Sequence, residues 1–294
     1  MSRFPDRHES VQELLPLGRM PLSQGRGLAG ADDEQRSPEE SRAGRLRLRT
    51  RALDRTFEVS RDERALLRTV GQFRTLEQTD VVKVLYGGNQ GRYDSDRLNL
   101  ARHGLLERRT VLTRQRGRID VLVLSERGRR FLEAARESAD SQIYFAGLAK
   151  PREVVHDASI YRMYEEQKAA IECAGGRVRR VVLDYELKRE LYGRTAGGQG
   201  RPKQEADQIR DAAAAEVGLR VVDGKVPLPD LRIEYEAADG TMARVDLEAV
   251  TGHYHRQHLA EKRAAGFRLW GADESGRKSA VRDDHDLMGD IFDL

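Results

Sequence analysis

Three side chains in the second half of the chain are of the types that metal-assisted hydrolysis requires: Asp230, Glu248 and Lys262. Two carboxylates suit a hard divalent cation, Mg2+ or Mn2+, and a lysine helps to activate water. Asp230 follows Pro229 and opens a strand-like run that ends at Glu236. Glu248 lies on the next such run, Thr241 to Ala249. Alternation there places Ala243, Val245, Leu247 and Ala249 on one face and Arg244, Asp246 and Glu248 on the other. Lys262 falls on a helix expected from His255 to Ala265, and Glu186 or Glu190 supplies a possible further acid. The alternative remains open, because carboxylates on an exposed sheet face and a lysine on a polar helix face are also ordinary surface residues.

A second set of residues suits a polyanion. Between Gly87 and Arg130 there are eleven arginines, no lysine and five acids, a local excess of six positive charges. Such an excess is the electrostatic footprint of phosphate contact, although an arginine-favouring coding bias also produces it. Arg92, Ser95, Asp96, Asn99 and His103 occupy one side of an expected helix from Tyr93 to His103, with Leu98, Ala101 and Leu105 on its core side. Asn and Arg are suited to base edges in the major groove. Arg114, Arg116 and Arg118 stand at the tip of an expected β-hairpin, where they would meet phosphates.

The elements that must position these groups follow from local signals. Ser60-Arg-Asp-Glu63 has the form of a capping box, and Leu66, Leu67 and Val70 form the buried stripe of the helix it starts. Thr75 is expected to cap a second helix that Gly87-Gly88 ends. After the third helix come two strands, Leu105 to Leu112 and Ile119 to Leu124, and then a helix capped by Ser125. Past Pro151, His156-Asp157 precede a helix expected from Ser159 to Cys173. A strand at Arg177 to Leu183, a Gly-rich loop at Gly193 to Lys203, an Ala-rich helix at Glu205 to Glu216 and a strand at Phe267 to Trp270 complete the order.

Helix, helix, helix and an arginine-tipped hairpin is the order of a winged helix. The run Leu122-Val-Leu-Ser-Glu-Arg-Gly128 resembles the return from the wing in bacterial winged-helix regulators. In the second half, helix, three strands, helix and strand, with Pro229-Asp230 and Asp246-x-Glu248, resembles the restriction-endonuclease-like fold. That resemblance implies a divalent metal held against a scissile phosphate. The lysine it leads one to expect is missing, since Glu248 and Val250 stand at the two candidate positions; Lys262 would have to substitute from the following helix.

A resemblance over most of the chain is carried by the winged helix, His156-Asp157, Asp184-Tyr-Glu-Leu, Leu228-Pro-Asp230, Val245-Asp-Leu-Glu248, Thr251-Gly252 and Lys262. Together these resemble the replication-relaxation family of plasmids and integrative elements. The resemblance implies a DNA-binding protein of a mobile element with a nuclease-like domain.

Composition sets the limits. The 294 residues, 34% charged and 6% aromatic, are long enough for two domains. Residues 1–55 are expected to be a disordered or partly ordered arm, 56–145 a winged-helix domain and 151–294 a nuclease-like α/β domain, an α+β protein in all. One cysteine, Cys173, leaves no intramolecular disulfide and no thiolate-rich zinc site. His253, His255 and His258 lack a convincing fourth ligand, and a solvated or DNA-facing role is preferred for them. No signal segment and no long apolar run is present, so a cytoplasmic protein without a membrane span is expected. The leading expectation is a sequence-reading, double-stranded DNA-binding regulator of transcription or replication, its second domain degenerate and serving a protein partner or homodimer. The alternative is a Mg2+-dependent endonuclease targeted by the winged helix.

Overall fold

A computed structural model describes residues 48–272 except 53–54, 114–115, 136–140, 149, 151–152, 199 and 252–254. Two short strands, β1 (Leu48–Ala52) and β2 (Arg55–Val59), pair antiparallel ahead of the first helix. The arm expected over 1–55 is therefore strand from residue 48; what precedes it lies outside the described residues.

Helix α1 (Arg61–Gln72) starts on the expected capping box. Ser60 Oγ accepts from the Glu63 N–H at 3.1 Å, and Glu63 Oε2 accepts from the Ser60 N–H at 2.6 Å. Leu66, Leu67 and Val70 line its buried face. Arg74 then turns the chain with φ +60, a left-handed value that a non-glycine residue adopts only at a cost of about 1 kcal/mol. Thr75 does not cap a helix. Instead Leu76–Glu77 form a short strand, β3, and α2 (Gln78–Leu85) begins after it. Helix α3 (Gln90–Arg102), strands β4 (Leu106–Thr113) and β5 (Gly117–Leu124), and α4 (Glu126–Ala134) complete the first half, with the sheet ordered β3-β5-β4. Ser125 caps α4 as expected, its Oγ accepting from the Gly128 N–H at 2.9 Å. Position 128 must be glycine, because a Cβ there would stand 2.1 Å from the Leu105 carbonyl oxygen.

The second half is built on one four-stranded sheet. Helix α5 (Val154–Cys173) packs against β6 (Arg177–Leu183), β7 (Leu231–Glu236) and β8 (Met242–Val250). Helices α6 (Asp184–Thr195) and α7 (Lys203–Glu216) connect β6 to β7, and α8 (Arg256–Ala264) crosses from β8 to β9 (Arg268–Gly271). The sheet order is β6-β7-β8-β9; the first three strands are antiparallel, and β9 joins β8 in parallel. Two expectations change here. Helix α5 starts at Val154, so His156 and Asp157 sit in its first turn, and α6 continues through Gly193, where a loop was expected.

The two halves share their interior. One apolar core runs from Phe57 to Ala249, and Phe73 at the end of α1 packs edge-on to Tyr161 and tilted against Tyr164 of α5, with ring centroids 5.2 and 4.8 Å away. The connecting segment is sewn in. Tyr144 is buried, the Phe145 N–H donates to the Gly71 carbonyl at 2.7 Å, and the Gly147 N–H donates to the Leu124 carbonyl at 2.8 Å. The buried Gln142 amide pairs with the backbone of edge strand β6, accepting from the Val181 N–H at 3.0 Å and donating to the Val181 carbonyl at 2.9 Å. No helix among the described residues is long and apolar enough to cross a membrane.

Candidate functional site

Asp230, Glu248, Lys262 and His156 meet at one end of the sheet. Pro229 has no N–H to give and so sits just outside the β7 ladder, leaving Asp230 at the strand's entry. Backbone donors then lock the two acids to each other. The Asp230 N–H reaches Glu248 Oε2 at 3.3 Å, and the Ala249 N–H reaches Asp230 Oδ2 at 2.9 Å. Lys262 comes from α8, with Nζ 2.8 Å from Glu248 Oε1 and 2.8 Å from the Leu228 carbonyl. His156 Nε2 stands 3.2 Å from Asp230 Oδ1. Glu248 is 1% exposed and lies at the bottom; Asp230, Lys262 and His156 are 16%, 21% and 35% exposed and open outward.

Charge shapes the titration of this cluster. Burial alone would lower the His156 pKa, but the hydrogen bond and charge of Asp230, with Asp157 and Glu248 behind it, outweigh burial and raise it. Asp157, the next residue, faces inward. Burial pushes its carboxyl up to about 6, against the pull of Arg74 and His156.

Does this donor set fit a metal ion? Among the described residues no three His, Cys, Asp or Glu side chains form a cage for one. Two carboxylates fit a cation that keeps several waters and takes further ligands from a substrate phosphate, as Mg2+ does. Each of the four carboxylate oxygens already has a protein partner.

Of the acids named from sequence, Asp230 and Glu248 converge and Glu186 does not. The Glu186 carboxylate turns back to the Leu183 N–H at 3.4 Å and to Arg180 at 3.2 Å, and burial raises its pKa. It lines a separate groove of about 400 Å3 with Arg180, Arg189 and Arg194. Asp246 is committed elsewhere as well, forked by the buried Arg232 at 2.6 and 2.9 Å. His156 was missed as a site residue because the sequence reading placed it before a helix. In the first turn of a helix that packs on the sheet, it reaches the acid pair.

The face expected to read DNA is rotated. Helix α3 buries Tyr93 and Leu100, while Leu98 and Ala101, expected in the core, are exposed. Asn99 donates to Glu63 Oε1 at 2.7 Å, Asp96 accepts from the Tyr86 hydroxyl at 3.2 Å, and the His103 ring sits edge-on to Phe57 at 5.8 Å. Burial, then the charge of Glu63, raises the Asp96 pKa. The helix rotates this way because its polar residues find polar partners on α1 and at the end of α2, which periodicity alone does not reveal. Arg92, paired with Asp62, and Ser95 stay open to solvent beside Leu98 and Arg102.

At the hairpin tip, Arg114 lies outside the described residues. Arg116 forks onto the buried Glu77, one of its bonds being 2.9 Å, and Arg162 of α5 holds the same carboxylate at 2.9 Å. Arg118 is exposed. It shares the outer face of the hairpin with Arg108, Thr110 and Leu112, as the pairs Leu112–Arg118 and Thr110–Asp120 fix. Strand β4 packs against α3, and burial raises the pKa of the Tyr93 hydroxyl on that helix.

No family model, no curated protein and no solved structure matches this chain.

Proposed function

We propose that the chain is a double-stranded DNA-binding protein whose second half carries a metal-dependent endodeoxyribonuclease site formed by Asp230, Glu248 and Lys262. The observation that carries this reading is the contact between Lys262 and Glu248: a helix outside the strand supplies the lysine that position 250 lacks. A divalent cation at the two carboxylates would supply Lewis acidity at a phosphate oxygen. Lys262 would fix the Glu248 carboxylate beneath it, and Asp230, outermost of the acids, would meet the substrate. Three helices and a basic hairpin, read as a winged helix, would hold the duplex through Arg108 and Arg118 and the solvent side of α3. The motifs from His156 to Lys262 support placing the chain in the replication-relaxation family of mobile-element proteins.

A second reading is favoured by a different observation. Because every oxygen of the two carboxylates already meets a protein donor, the cluster also works as an internal clamp in a regulator of transcription or replication that does not cut. Its second half would then serve a partner or a second subunit.

Incubation of supercoiled and linear DNA with Mg2+ or Mn2+ separates the two. Nicking that Asp230→Ala and Glu248→Ala both abolish is the expected result; a retarded complex that is never nicked moves the assignment to the regulator. A footprint with dyad symmetry would show that two copies bind.

A further inference from the structure

We propose that Arg74, in the first half of the chain, is a positioning residue for the acid cluster in the second half. The inference rests on the metal-site reading given above. Its starting point is backbone geometry: Arg74 adopts φ +60, a conformation glycine would take without strain, yet the position carries a long cationic side chain that is only 12% exposed. That side chain reaches into the other half. Its guanidinium lies 2.8 Å from Asp157 Oδ1, 3.5 Å from Asp184 Oδ1 and 5.7 Å from the centre of the Tyr185 ring.

Both acids it holds sit next to the cluster. Asp157 is 1% exposed and directly follows His156, in the turn that brings the imidazole to Asp230. Asp184 opens α6, and its N–H donates to the Asp230 carbonyl at 3.3 Å. One guanidinium therefore hydrogen-bonds the segment that carries His156 and lies within ion-pair range of the segment that abuts Asp230. The attachment is not saturated: Asp157 Oδ2, Asp184 Oδ1 and Arg74 Nε are buried without a hydrogen-bond partner among the described residues. The union of the halves does not depend on it, because Phe73, Tyr161 and Tyr164 supply an apolar contact next door. Loss of Arg74 should leave the halves packed and release the first turns of α5 and α6.

The test uses the full chain and Mn2+ alone, with free Mn2+ followed by its electron paramagnetic resonance. Wild type is expected to bind and Asp230→Asn to fail, which establishes the site. Arg74→Met should then bind about 10- to 100-fold more weakly, the usual effect of removing a group that orients metal ligands. Arg74→Lys should recover most of the loss, and the His156 imidazole resonances should shift in the Met variant and return in the Lys variant. Asp157→Asn breaks the same link with little change of shape and decides the matter if Arg74→Met does not fold. Equal Mn2+ affinity in wild type and in the folded link-breaking variants overturns the proposal. A wild type with no Asp230-dependent Mn2+ site instead overturns the metal reading, and the positioning role falls with it.

Discussion

Asn99 gives its side-chain N–H to Glu63, and Glu63 in turn accepts the N–H of Ser60 that starts α1. The polar side of α3 is thereby part of the joint between two helices. Truncation of Asn99 to alanine would remove one hydrogen bond to a buried carboxylate, at a cost of about 1–3 kcal/mol. Urea unfolding of Asn99→Ala should show that loss, while the DNA sequence preference of the folded variant stays as in wild type. A variant of unchanged stability and altered preference would restore Asn99 to the groove.

Lys262 and Glu248 form a pair in which the acid is 1% exposed. Removing the cation alone takes the charged partner from a buried carboxylate. Lys262→Ala should therefore destabilise by about 3–5 kcal/mol, whereas Lys262→Met combined with Glu248→Gln should cost much less. Thermal unfolding of the two variants gives the comparison, and equal losses would contradict it.

Asp157 makes stability depend on pH. Its carboxyl, raised to about 6 chiefly by burial, holds its proton more tightly in the folded protein than in the unfolded chain. The stability this group contributes is thus fully present below about 3.9, the unfolded value, and is lost as the pH rises through about 6. His156, also raised, acts in the same direction nearer neutrality. Urea midpoints measured from pH 4 to pH 6 should fall less steeply for Asp157→Asn than for wild type. The stability of the variant relative to wild type should gain on the order of 2–3 kcal/mol over that span. A relative loss over the same interval would reverse the sign assigned to Asp157.

Arg108 and Arg118 lie exposed on the outer hairpin face. If each neutralises one phosphate, Arg118→Ala and Arg108→Ala should weaken binding to all duplexes alike. Each should also reduce the slope of log affinity against log salt by about 1. Anisotropy titrations on two unrelated duplexes at several salt concentrations measure both quantities. Arg116→Ala should leave the slope unchanged, since its guanidinium already neutralises Glu77.

Features set by neighbouring residues were legible in the sequence. The capping box at Ser60, the cap at Ser125 with Gly128 three residues later, and the strand pair that Asp230 leads into and Glu248 lies on are all local patterns, and the structure has them. What escaped depends on tertiary partners. Helix α3 has few apolar residues, so polar contacts from Glu63 and Tyr86 decide its rotation. Glu186 and Asp246 are acids of the right type, drawn away by Arg180 and Arg232. His156 needed the true start of α5, which no capping side chain announces.

The amide of Gln142 occupies hydrogen-bonding positions that a further strand would otherwise take along β6. A fragment cut after the connecting segment would bare that rim, and bare rims recruit one another. Expressed alone, residues 154–272 should self-associate strand to strand, and a fragment beginning ahead of Gln142 should resist it.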